Sequence, residues 1–170
     1  MDKPIIIVNG RPRAGKDTFA KFLNEIVPVR KYSMVSEVKR IATIAGWDGM
    51  SKEEKDRKFL SDLKVLLEEY NNFPLMDVCH EIEEFKSSDY KVMLIDAREE
   101  KDIIALKTMF KNVYSLFIDN RNVPMVLSNK ADRQVEDICY DFRIENNGTL
   151  EEFHSEVIKW WTYFNKNHAE

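Results

Sequence analysis

Along most of this chain, short β-branched runs take turns with apolar stripes at three- and four-residue spacing. Ile5-Ile6-Ile7-Val8 is an unbroken run, the pattern of a strand buried on both faces of a parallel sheet. Phe19, Phe22, Leu23 and Ile26 then recur at helical spacing, which predicts a helix from about Lys16 to Ile26. Pro28 ends that unit. Val29 to Val35 reads as a second strand, and Ser36 as the N-cap of a helix through Ala45. Gly46-Trp47-Asp48-Gly49 is a turn. Ser51 and Glu54 form a capping-box pattern opening a long helix, striped by Phe59, Leu60, Leu63, Leu66, Leu67 and Tyr70. Asn71-Asn72-Phe73-Pro74 breaks it, and another helix spans Leu75 to Phe85.

The second half repeats the alternation. Lys91 to Ile95 is a third strand ending at Asp96, followed by a helix from about Glu99 to Phe110 and a strand from Val113 to Ile118. Asn120 to Gln134 has mixed polarity and reads as a mobile loop. Tyr140 to Ile144 is a last strand and Asn146-Asn147-Gly148 a turn. Thr149 and Glu152 form a second capping box for a helix to about Phe164, after which the tail is expected to fray. Five strands alternating with helices argue an α/β layered fold with a mostly parallel sheet. Three helical segments separate the second and third strands where one crossover helix suffices. The excess reads as a substrate-binding insertion or cover.

Composition narrows the picture. With 170 residues, 44% hydrophobic and 33% charged, the chain suits one domain with a sizeable core. Its 26 basic and 30 acidic residues leave a net charge of −4, with no basic block, so nucleic acid is not expected as a partner. Cys79 and Cys139 stand apart and read as buried thiols of a reducing compartment. The three histidines are scattered too, so zinc and haem are not supported. No apolar stretch is long enough for a secretory signal or a membrane span, which points to a cytoplasmic protein. A homodimer is compatible with the sequence.

The chemistry is concentrated in Gly10-Arg11-Pro12-Arg13-Ala14-Gly15-Lys16-Asp17-Thr18. Gly10, Gly15 and Lys16 have the spacing of a phosphate loop, directly after a buried-type strand and directly before a helix. The glycines permit unusual backbone angles, so successive N–H groups can point at phosphate oxygens. The helix adds the positive end of its dipole, and Lys16 a charge for the β- and γ-phosphates. Asp17 stands where the general pattern has Ser or Thr. Two roles stay open: Asp17 holds Mg²⁺ through water, or it buttresses the loop while Thr18 supplies the hydroxyl. Thr18 is the favoured ligand.

The loop resembles that of the nucleoside monophosphate kinases, and most closely the phage-type deoxynucleoside monophosphate kinases, which carry Arg-x-Gly-Lys-Asp-Thr; Arg13 stands at that arginine. Gly46 to Gly49, Asp56 to Lys64 and Tyr140 to Leu150 extend the resemblance over most of the chain. It implies a three-layer P-loop NTPase fold with a mostly parallel five-stranded sheet in the order 2-3-1-4-5. It also implies a helical monophosphate-binding region at about 36–86 and a lid-like loop at about 120–134. The implied activity is transfer of the γ-phosphoryl group of ATP, with Mg²⁺, to a nucleoside or deoxynucleoside monophosphate.

Such a transfer needs positive charge and in-line positioning, because the acceptor phosphate is itself the nucleophile. Asp96 ends the third strand, and in parallel α/β folds ligands bind at the carboxyl ends of strands. If that strand lies beside the first, Asp96 faces the loop and can hold a Mg²⁺ water. Asp96-Ala97-Arg98 resembles the family's strand-end Asp with a nearby Arg that grips the acceptor phosphate. The segment after the second strand is implied to embrace the monophosphate, which singles out Lys39 ahead of Arg40, and Arg57 ahead of Lys58. Arg121, Lys130 and Arg133 fall in the loop where the family places a lid, with Arg121 and Arg133 the stronger candidates for the transferring group. Trp47 packs a base or pins its turn. For Tyr32, Phe59, Tyr70, Trp160 and Trp161, core packing is the weightier role, with one of the two adjacent tryptophans partly exposed.

Two other readings compete. A kinase of another small metabolite uses the same loop, but an uncharged alcohol acceptor calls for a carboxylate base rather than arginines. Asn129-Lys130-Ala131-Asp132 matches a guanine-recognition string, which admits a regulatory GTPase. The missing Asp-x-x-Gly segment and the long helical insertion weigh against it.

Overall fold

A computed structural model describes residues 3–124 and 135–168. Strands β1 (Ile5–Gly10), β2 (Val29–Ser33), β3 (Val92–Asp96), β4 (Val113–Asp119) and β5 (Phe142–Glu145) form one sheet. Its order is β2-β3-β1-β4-β5 and every pairing is parallel. Helices α1 (Lys16–Ile26), α2 (Ser36–Ile44), α3 (Glu54–Asn71), α4 (Phe73–Ser87), α5 (Glu100–Met109) and α6 (Leu150–His168) complete the described elements. The expected three-layer fold and strand order are present, with the helical insertion between β2 and β3.

The two-residue period of the strands divides the core. Ile6 and Val8 of β1 face α1 and α6, where Phe19, Phe22, Leu23, Phe153, Val157, Trp160 and Phe164 cover them. Ile5 and Ile7 face α4 and α5 and meet Leu75, Val78, Ile82, Phe85, Ile103 and Leu106. All six residues of β1 are therefore buried, which explains the unbroken apolar run. β2 lies at an edge and is only partly buried. Both Trp160 and Trp161 are buried, at 6% and 7% exposure, so neither is the partly exposed member expected of the pair.

Several local expectations change. Ser36 is the first residue of α2, and Val35 is its N-cap. Ser51 does not cap α3: the N-cap is Glu53, and the Ser51 hydroxyl donates to Asp56. Asn72, at φ 55°, both ends α3 and caps α4, so α4 starts at Phe73 with Pro74 in its first turn, where a missing N–H costs nothing. The second capping box does form: Thr149 N–H donates to Glu152 Oε2 at 2.7 Å, and Glu152 N–H to Thr149 Oγ1 at 3.2 Å. α6 continues to His168, whose ring stacks on Phe164, so the tail is helical beyond the expected end. Cys79 is buried, but Cys139 is exposed. No helix among the described residues is long and apolar enough to cross a membrane.

α4 is the crossover helix proper, while α3 buries no residue. Charge rather than apolar area ties α3 to the body. Lys64 of α3 pairs with Glu68 at 3.0 Å, with Glu99, and with Asp102 at 3.4 Å. Lys101 pairs with Glu68 at 2.6 Å and Glu99 at 3.1 Å. Glu68, Glu99 and Asp102 each bring an oxygen within 4.8 Å of the others, which is metal-like spacing, but the Lys64 ammonium already serves all three. Burial opposes its charge, yet Asp102, Glu99 and Glu68 outweigh that and raise its pKa.

Asp141 fixes the start of β5. Its Oδ2 accepts from Ser115 N–H at 2.6 Å and Ser115 Oγ at 3.0 Å, and pairs with Lys107 at 2.6 Å. Burial opposes the charge, but Lys107 and Ser115 hold the carboxyl below its ordinary range. A lowered folded-state pKa stabilises above the unfolded value and is lost as pH falls through the folded one. Asp141→Asn is therefore expected to cost about 1 kcal/mol near neutral pH, and progressively less below the ordinary carboxylate range. Denaturant melts of both proteins across pH check this.

Candidate phosphate-loop site

The loop leaves the sheet at the C-terminal end of its central strand. Asn9 is fully buried: its Oδ1 accepts from Gly10 N–H at 2.9 Å, and its Nδ2 donates to the Arg98 carbonyl at 3.4 Å. One side chain thus ties the start of the loop to the turn after β3. Gly10, at φ 153°, passes so close to β4 that a Cβ would lie 2.8 Å from the Ile118 carbonyl oxygen. Gly15, at φ 106°, is the N-cap of α1. The Asn146 Nδ2 donates to the Ala14 carbonyl at 2.8 Å, so the β5–α6 turn props the loop from behind.

Gly15→Ala is strained on two counts. Its φ is one that L side chains rarely adopt, and the new Cβ collides with Asn146 Nδ2. Asn146 must move and lose its bond to Ala14. Nucleotide affinity is expected to fall about 5- to 150-fold, for a backbone cost of roughly 1–3 kcal/mol. Titration calorimetry with ATP checks it.

Lys16 arches back over the loop, its Nζ donating to the carbonyls of Gly10 at 3.1 Å and Arg11 at 3.3 Å. Arg13 is exposed, with φ 67°. The Arg11 guanidinium pairs with Glu136 and donates to the Val123 carbonyl at 3.2 Å. Thr18 is half-buried in the first turn of α1.

β3 does lie beside β1, with Asp96 paired in register with Val8. Asp96 stands at the same sheet edge as the loop, next to Ser33 of β2. The side chain that joins these parts is not one that the loop motif or the family resemblance singles out. Lys31 of β2 pairs with Asp17 and sits 3.5 Å from Asp96 Oδ2. The Lys31 hydrogen bond holds the Asp17 carboxyl below its ordinary value against a smaller cost of desolvation, helped by the charges of Lys31, Lys16 and Lys39. Asp17, Asp96, Lys16, Lys31 and Lys39 thus form one neighbourhood at the loop. The exposed Arg98 follows Asp96 on the turn that Asn9 holds.

Arg121 lies beyond β4, on the other side of the loop. Its N–H donates to Asn147 Oδ1 at 2.7 Å, and its side chain leans on Asp119 at 3.5 Å. A cavity of about 570 Å³ opens at the adjoining β5–α6 turn, lined by Glu145, Asn147, Gly148, Glu152 and Phe153 among others. Arg57 is exposed on α3, and among the described residues no hydrogen bond or ion pair links it to the loop. Trp47 pins its turn, its Nε1 donating to the Ser51 carbonyl at 3.3 Å. Lys130, Arg133 and the string Asn129 to Asp132 lie outside the described residues, as does most of the lid-like loop.

With its parallel sheet in the order 2-3-1-4-5, the chain matches many solved structures. Dephospho-CoA kinase from Campylobacter jejuni matches with a TM-score of 0.55 at 16% identity, over 98% of this chain and 100% of its own. A gluconokinase from Sinorhizobium meliloti 1021 matches at 0.56 and 13%, over 98% and 95%. The Mycobacterium tuberculosis APS kinase, solved with AMPPNP and APS, matches at 0.51 and 11%, over 95% and 98%. The chain shares its fold with these three kinases. No family model and no curated protein matches the chain. At these identities the likeness speaks for the fold, and it spans several kinases rather than singling out the phage-type deoxynucleoside monophosphate kinases.

Three residues outside the sequence expectation matter here: Asn9, Lys31 and Asn146. Asn9 carried a signal, since a polar residue at the end of a buried strand needs a partner. Lys31 carried a weaker one as a charge within a strand. Asn146 acts across the fold on Ala14, which local pattern does not reveal.

Proposed function

We propose that this chain is an ATP-dependent kinase of a small metabolite, and that its acceptor is a nucleoside or deoxynucleoside monophosphate. The observation that carries the kinase reading is the phosphate loop at the C-terminal end of β1, arched over by Lys16 and flanked by Asp96. In this reading the loop backbone from Gly10 to Thr18 cradles the triphosphate, and Lys16 with Arg13 neutralises its outer phosphates. Arg11 contributes its backbone, its guanidinium being held by Glu136 and Val123. The base-bearing end of ATP extends toward the cavity at the β5–α6 turn, beside Arg121.

The acceptor side is cationic. Lys31 and Lys39 stand by the Asp17–Asp96 neighbourhood and Arg98 follows Asp96 by two residues, which suits an acceptor that brings its own negative charge. Arg98 grips the acceptor phosphate and Lys39 assists it. Arg57 belongs to this set only if α3 moves toward the loop; Arg121 approaches from the other side, and Arg133, outside the described residues, is assigned with it to the transferring phosphoryl group. The single domain, the helical monophosphate-binding region and the lid-like loop belong to the same reading. Asp17 and Asp96 are hard oxygen donors that meet at one cationic position, a pair that fits Mg²⁺, and this reading adds the Thr18 hydroxyl from the same helical turn as Asp17. When bound, Mg²⁺ supplies charge neutralisation and orientation to the phosphates.

A second reading has a specific observation behind it. The same two carboxylates suit a base for a hydroxyl acceptor, and the dephospho-CoA kinase and gluconokinase matches keep that chemistry open. The test measures ADP release with each nucleoside and deoxynucleoside monophosphate in turn, and with unphosphorylated polyols. Monophosphate-dependent release whose acceptor KM rises in Arg98→Ala supports the first reading. Release with polyols alone sinks it and supports the second.

A further inference from the structure

Asp17 and Asp96 come from different elements, the first turn of α1 and the end of β3, yet both meet one ammonium. Lys31 Nζ pairs with Asp17 Oδ1 and stands 3.5 Å from Asp96 Oδ2. The backbone of Lys31 is fixed by the β2–β3 ladder, opposite Leu94, while its four-carbon stem remains flexible. Asp17 is 91% exposed at its side chain and Lys31 37%, so water and solutes reach the pair.

These are the two carboxylates that the proposed function assigns to the metal, and a side-chain cation already lies between them. We propose that Lys31 is the resting counter-ion of the Asp17–Asp96 pair: it weakens the binding of free divalent cations at these oxygens and yields more readily to the cation that arrives with a nucleotide. The inference rests on reading the loop as a Mg·ATP site.

The electrostatics set the order of events. Two carboxylates alone would attract a divalent ion. With the ammonium between them the charge of these three groups falls to that of one carboxylate, Lys16 and Lys39 lower it further, and an incoming ion must approach a like charge or displace it. A triphosphate in the loop adds its own negative charge and its own oxygens, which tips the exchange. Lys31 then swings aside on its stem while its backbone stays in the sheet. The pair is exposed, so the competition is modest in size and measurable rather than absolute.

The test titrates Mn²⁺, a probe for Mg²⁺ sites, into the full chain without nucleotide and follows free Mn²⁺ by electron paramagnetic resonance. Lys31→Met keeps the stem and removes the charge, and Lys31→Gln serves as a second neutral variant; thermal melts show that each is folded. Both are expected to bind Mn²⁺ about tenfold more tightly than the unaltered chain. Lys31→Arg should remain near the unaltered value, and adding Asp96→Asn to Lys31→Met should reverse the gain. Equal Mn²⁺ affinity in the unaltered chain and the neutral variants overturns the proposal, as does a gain that survives Asp96→Asn. A purely structural role for Lys31 would weaken metal binding, not tighten it. Failure of the kinase reading shows instead as absent acceptor-dependent ADP release with the Mn²⁺ difference intact.

Discussion

Lys16→Met is expected to lower ATP-dependent phosphoryl transfer by about 10²–10³-fold, the typical cost of removing one preorganised donor from a charged transition state. The substitution keeps the length of the side chain and removes only its ammonium. In the structure that ammonium bonds to the Gly10 and Arg11 carbonyls, which holds it over the loop when no phosphate is present. Those two bonds are partly exposed, so the fold should tolerate their loss. The thermal midpoint is expected to move by no more than a few degrees. Steady-state kinetics beside a thermal melt separate the two effects. A fall in kcat and kcat/KM together, with the melt nearly unchanged, assigns Lys16 to the transition state. A rise in the KM for ATP alone would assign it to uniform binding.

Phe19→Ala should produce the largest loss of stability. Phe19 follows Thr18 on α1 and is fully buried against the sheet, with Trp160 edge-on at 5.4 Å. It joins the helix that carries the loop to the helix that closes that face. Truncation leaves a cavity in a rigid aromatic cluster, where Trp161 and Phe164 are stacked at 5.7 Å and cannot collapse easily. The expected cost is about 3–5 kcal/mol. For a chain of this size that is a fall of roughly 6–20 °C in the thermal midpoint. Nucleotide affinity should fall too, because α1 positions the loop amides. A loss below about 1 kcal/mol would mean that α6 repacks and that this layer is less rigid than the contacts indicate.

What could be read from the chain beforehand follows from where the information lies. The Ile5–Val8 run names a central strand because burial on both faces leaves no room for a polar residue. The loop glycines are legible because their backbone angles exclude other residues, and the second capping box because Thr149 and Glu152 satisfy each other locally. The same reasoning misplaced the start of α3. There the Ser51 N–H goes to Asp48 and its hydroxyl donates to Asp56, and sequence spacing does not reveal these competing partners. The stripe on α3 reads as core, yet its residues stay partly or fully exposed, because the helix is held by Lys64, Glu99 and Asp102 instead.

The candidate site shows the same division. Gly10, Gly15, Lys16 and Asp96 were legible, three from the motif and one from its place at a strand end. Lys31 was not, because its meaning depends on β2 lying next to β3, with both beside the loop. Asn146 reaches Ala14 across 132 positions of sequence, a contact only the fold creates.

The most direct measurement follows the phosphorus itself. ATP labelled at its γ-phosphate is incubated with Mg²⁺, the protein and each nucleoside and deoxynucleoside monophosphate, and the products are separated. The account predicts label in a nucleoside diphosphate, dependent on the acceptor and lost in Lys16→Met. Label found only in inorganic phosphate, or transfer unaffected by Lys16→Met, would contradict it.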